Sequence, residues 1–92
     1  MSVTIQEVRA AQPEWFSRKN MRFFGDVSYK VLHSSSHKPY LVRLTAMWSD
    51  MFGQPKTYRY RVNEIDSGAK IGKLLDQQFR DIEAVKRYLR GL

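Results

Sequence analysis

The sequence predicts an α+β fold: an antiparallel meander of three to four strands covered by an N-terminal and a C-terminal helix. Three observations carry this. Residues 39–48, Pro-Tyr-Leu-Val-Arg-Leu-Thr-Ala-Met-Trp, are dense in β-branched, aromatic and aliphatic side chains, as strands are. Stretches on either side alternate in the same way, Val27, Tyr29 and Val31 before it and Tyr58, Tyr60 and Val62 after it. Near the end of the sequence, Asp81 can cap a helix whose Ile82, Val85 and Leu89 fall on one stripe.

Taken in order, Ser2 to Arg9 offers two readings. Thr4 and Glu7 have the spacing of a capping box, but Val3, Thr4 and Ile5 are a β-branched run, and a short strand is favoured. Pro13-Glu14 starts a short helix that carries Trp15, Phe16 and Lys19, with the two aromatics closing one end of the core. Phe23-Phe24-Gly25-Asp26 reads as a bend or bulge leading into the first meander strand. The polar run Ser34-Ser35-Ser36-His37-Lys38-Pro39 closes a hairpin. In the central strand Tyr40, Val42, Leu44, Ala46 and Trp48 form the apolar face, and Leu41, Arg43, Thr45 and Met47 the mixed one. Residues 49–56 are turn-rich. Asp66-Ser67-Gly68 is a turn, and Lys70 to Leu75 forms a fourth strand weakened by Gly72. Lys86, Arg87 and Arg90 suit the C-terminal end of the last helix, and Gly91 ends it.

The 92 residues fit one domain, 1–92, with one modest core. Repeats, low-complexity tracts and linkers are absent. Cysteine is absent too, which removes disulfides, thiolate catalysis and cysteine-bound zinc. The first residues lack the basic and apolar regions of a signal peptide, and no apolar run is long enough to span a bilayer, so a cytoplasmic location is expected. Net charge is +7, with the excess spread along the chain, so it matters only if folding gathers it.

One constellation follows from strand parity. Lys30, Arg43, Arg59 and Arg61 all fall opposite the apolar stripes, so they could form one basic patch on an exposed sheet face. The tyrosines fall on the other parity, unlike RNA-reading sheets, where aromatics beside the cations stack on bases. A surface that grips phosphates or carboxylates is the better fit. Met51 and Phe52, apolar residues in a turn-rich connection, are a second candidate contact. His33 and His37 have no carboxylate or cysteine to complete a metal set, and no nucleophile elbow or glycine-rich phosphate loop occurs. No catalysis, cofactor, metal or small-molecule substrate is expected.

The segments Phe23-Phe24-Gly25-Asp26-Val27-Ser28-Tyr29, Tyr40-Leu41-Val42-Arg43 and Trp48-Ser49-Asp50-Met51-Phe52-Gly53 resemble small proteins of bacteriophages and prophages. In size and plan the chain is similar to anti-CRISPR proteins, particularly inhibitors of type I-F surveillance complexes. That resemblance implies a non-enzymatic inhibitor in the host cytoplasm. It would dock on Cas subunits of the ribonucleoprotein, also touch guide RNA, and block target DNA. Many such inhibitors are acidic mimics of nucleic acid, whereas this chain is basic. The alternatives are an autonomous basic nucleic-acid-binding module and a small phage structural or assembly protein.

Overall fold

A computed structural model describes residues 3–47 and 57–92. Helix α1 (Ile5–Ala11), a 3₁₀ turn (Pro13–Phe16) and helix α2 (Arg18–Phe24) come first. Strands β1 (Asp26–His33), β2 (Pro39–Met47), β3 (Thr57–Asp66) and β4 (Lys70–Phe79) follow, then helix α3 (Ile82–Arg90). The four strands form one antiparallel sheet in sequence order, the predicted meander, with helices from both ends of the sequence packed on it. Among the described residues, no helix is long and apolar enough to cross a membrane.

The N-terminal stretch is a helix where a strand was favoured. Thr4 holds an extended backbone and its hydroxyl accepts from the Glu7 N–H at 3.2 Å, which caps α1. Val3 and Thr4 lie before the first helical turn, so their β-branching does not oppose it. The proline-led helix also differs from expectation. It is a single 3₁₀ turn, broken at Ser17, whose extended backbone starts a second helix. The Ser17 hydroxyl accepts from the Asn20 N–H at 3.3 Å. Gly25, with φ of +74°, then turns the chain into β1. A Cβ there would stand 3.0 Å from the Ala46 carbonyl oxygen, and the Ala46 N–H donates to the Gly25 carbonyl at 2.8 Å.

Helix α3 forms as its sequence predicts. The Asp81 carboxylate accepts from the Ala84 N–H at 2.8 Å, and Val85 and Leu89 are buried. They pack with Tyr40, Val42, Val62 and Phe79, flanked by Leu32, Tyr60 and Leu75. The serine-rich hairpin loop holds the other end of this helix. Ser35 N–H donates to the Leu89 carbonyl at 3.2 Å, Ser35 Oγ to the Arg90 carbonyl at 2.6 Å and Ser36 Oγ to the Leu92 carbonyl at 3.1 Å. Carbonyls that a helix end leaves unpaired are thereby satisfied.

The largest departure concerns the faces of the sheet. The helices were expected on one apolar face, with the other exposed. Instead α3 covers the face of Tyr40, Val42 and Val62, and the N-terminal segment covers the reverse. There Leu41 is 0% exposed, and Arg43, Thr45 and Asn63 are buried as well. The Phe16 ring meets Tyr29 edge-on at 4.7 Å between centroids, and the Arg43 guanidinium lies 6.0 Å from the centre of the Trp15 ring. Gln12 reaches the far side of the sheet, where its side-chain oxygen accepts from the Ile71 N–H.

β1 also differs in parity. A bulge between Asp26 and Ser28 shifts its register, so that Tyr29 stands across from Arg43 and Lys30 across from Val42. Val27, assigned to the core by alternation, is 53% exposed, and Leu32 packs against the core cluster. β4 runs past Gly72, which sits in a register irregularity where the Asn63 amide donates to its carbonyl at 3.2 Å.

A sheet closed on both faces makes Leu41 a core residue. Leu41→Ala should lower the free energy of unfolding by about 2–5 kcal/mol. Val27→Ala should change it by less than about 0.5 kcal/mol, as at other solvated positions. Urea denaturation of both variants checks this. A Leu41→Ala protein as stable as its parent would mean that the second face is open.

Candidate anion-binding surfaces

Strand parity proposes four cations for one patch, and the structure separates them. Arg43 is interior. Its Nη1 donates to Asp26 Oδ2 at 3.2 Å, with the two side chains 6% and 0% exposed. The same carboxylate accepts from Thr45 Oγ1 at 2.7 Å and from the Tyr29 hydroxyl at 2.6 Å. Asp26 therefore receives three donors, one of them cationic, which is what a buried carboxylate requires. Burial and the Asp26 hydrogen bond push the Tyr29 phenol above its ordinary range, so it remains a donor. Trp15 and Phe16 cover this network, and the Arg9 guanidinium lies 5.3 Å from the centre of the Phe16 ring. Arg43 is a structural cation.

Lys30 is exposed, but the bulge in β1 places it on the α3 face, across the sheet from the arginines. Arg59 and Arg61 remain on the N-terminal face, both half-buried, across from Thr45 and Arg43 respectively. As alternate residues of one strand they emerge about 6.5–7 Å apart. Arg59 donates from Nη1 to the Tyr58 carbonyl at 2.9 Å. Arg61 Nε is buried and has no hydrogen-bond partner, like Arg43 Nε and Asn63 Oδ1. Among the described residues the ion pairs are Arg43–Asp26 and an exposed Lys86–Glu83 pair at 3.7 Å. No carboxylate of the described residues is bound to Arg59 or Arg61. Met51 and Phe52 lie outside the described residues.

A second cationic surface escaped sequence reasoning. An open pocket of about 180 Å³ lies between the end of β1 and helix α3, lined by Leu32, His33, Lys86, Leu89 and Arg90. Lys86 and Arg90 are one helical turn apart and had been read only as complements to the helix dipole. The available signal was the i, i+4 repeat of cations beside the buried Val85 and Leu89. His33 Nε2 accepts from the Val3 N–H at 3.3 Å. Among the described residues, no group of three or more His, Cys, Asp or Glu side chains could hold a metal ion.

No protein-family model, no curated protein and no solved structure matches this chain.

The Asp26 network makes a sharp stability test. Asp26→Asn keeps the shape but leaves the Arg43 charge buried without a counter-charge, so unfolding should become easier by about 3–5 kcal/mol. Adding Arg43→Met removes that stranded charge and should restore part of the loss, a non-additivity measurable by denaturation of both variants.

Proposed function

We propose that the protein is a non-enzymatic inhibitor of phage type that docks on a host CRISPR–Cas surveillance ribonucleoprotein and blocks its access to target DNA. The observation that supports it is the pair Arg59 and Arg61, bound to no carboxylate of the described residues and held on a packed sheet with one buried Nε donor still unpartnered. Arginine forks grip carboxylates and phosphates alike, so they suit a partner surface built of protein and RNA together. Burial without a counter-charge is costly, and a partner's oxyanion seated there would relieve that cost. The choice of a CRISPR–Cas complex draws on the resemblance of the strand segments to phage inhibitors.

The alternative, an autonomous nucleic-acid-binding module, has less support. Modules of that kind stack bases on aromatics of an open sheet face. Here Tyr40 and Tyr60 lie against α3, and Tyr29 lies against Phe16.

With purified type I-F complex carrying its guide RNA, stoichiometric protein should abolish target-DNA binding. Arg59→Gln/Arg61→Gln should fold with an unchanged melting transition but lose affinity for the complex at least about tenfold, or roughly 1.4 kcal/mol. Binding to free RNA or DNA as tight as to the complex would establish the autonomous module instead. A complex that reads its target normally in excess protein would overturn the proposal.

A further inference from the structure

The pocket between β1 and α3 lies on the opposite side of the sheet from Arg59 and Arg61, and nothing in the proposed docking uses it. It is lined by Leu32, His33 and Leu89 together with the cations Lys86 and Arg90. Lys30 shares the β1 face with Leu32 and stands two residues away, about 7 Å along the strand. All three cations are exposed. Among the described residues, Lys86 is the one of the three in an ion pair, with Glu83, and that pair is solvated and its attraction weak. Helix C-termini present carbonyl oxygens that repel anions, but here Ser35 donates to those of Leu89 and Arg90. Beside the pocket, β1 is an edge strand, and among the described residues no further strand pairs with it.

We infer that this pocket is a phosphate site, and that with Lys30 it follows two successive phosphates of a single-stranded nucleic-acid backbone. Lys86 and Arg90 would grip one phosphate at the mouth of the pocket. Lys30, displaced along β1, would meet the next, since phosphates recur along an extended strand at a spacing near that of alternate strand residues. His33 is the one small ring in the pocket lining, so cations outnumber stacking surfaces and recognition would be mainly of backbone, with little dependence on sequence. A protein with cations on both sides of its sheet would then touch protein and guide RNA through different surfaces. This second contact rests on its own residues, and it stands or falls separately from Arg59 and Arg61.

The test is a backbone-amide NMR titration of the intact protein with a uridine decamer and, separately, with inorganic phosphate. Both should move signals of Leu32, His33 and Lys86 through Arg90, the decamer at much lower concentration. Lys86→Gln/Arg90→Gln should keep the dispersed spectrum of a folded protein. It should bind the decamer roughly ten- to thirtyfold more weakly at about 0.1 M salt and lower the slope of log affinity against log salt by about 1. Arg59→Gln/Arg61→Gln should leave these shifts in place. Shifts centred away from the pocket, or decamer affinity unchanged in Lys86→Gln/Arg90→Gln, would overturn the site. So would a glutamate decamer that competes as well as the uridine one, because the surface would then be a general attractor of anions.

Discussion

The salt bridge between Asp26 and Arg43 sets the terms for the whole molecule. A charge pair on a sheet face can be left to solvent or sealed, and here it is sealed, with the carboxylate wholly out of water. Sealing it requires donors for the carboxylate, and these are placed although Arg43 Nε is left without a partner. Gly25 takes a left-handed conformation that turns α2 into β1, just before Asp26. Thr45 and Tyr29 supply the remaining donors, and the bulge after Asp26 brings Tyr29 to the correct side. Trp15 and Phe16 form the cover. Buried ion pairs rarely add much net stability over apolar packing, but they penalise any arrangement in which one partner is exposed and the other is not. The pair therefore fixes where the N-terminal segment must lie.

With the middle of both sheet faces covered, only the side chains that the covering layers leave accessible, such as Lys30, Arg59 and Arg61, can meet a partner from the sheet. The positive charge divides accordingly. One cation, Arg43, is spent internally. Arg59 and Arg61 emerge on the N-terminal side, while Lys86 and Arg90 line the pocket on the α3 side, with Lys30 farther along β1 on the same face.

Much of the fold was legible in the sequence because local and long-range preferences agree there. β2 is dense in strand-forming residues, β3 alternates, and α3 carries a cap, a stripe and a stop, so each element appears where it was read. The face assignment failed where period-two logic was applied too simply. Tyr40-Leu41-Val42 is an unbroken apolar run, the mark of a strand buried on both sides, and it outweighed the single charge of Arg43. At Thr4 and Glu7 the cap spacing was the better guide, since the β-branched residues before it never enter the helix. The parity of Lys30 was not readable, because a bulge moves every later residue of β1 to the other face and alternation cannot announce one. Lys86 and Arg90 were visible as cations, but their pocket is made by the loop and strand that α3 meets, a long-range fact no local pattern carries.

The division of the arginines into one interior and several available residues can be measured directly. Phenylglyoxal modification of the folded protein, followed site by site by mass spectrometry, reports how freely each guanidinium meets the reagent. Arg90 should react at the rate of an unfolded chain, Arg59 and Arg61 more slowly, and Arg43 only when urea unfolds the domain. Modification of Arg43 in native protein as fast as that of Arg90 would contradict the closed second face, and with it the separation of structural from binding cations.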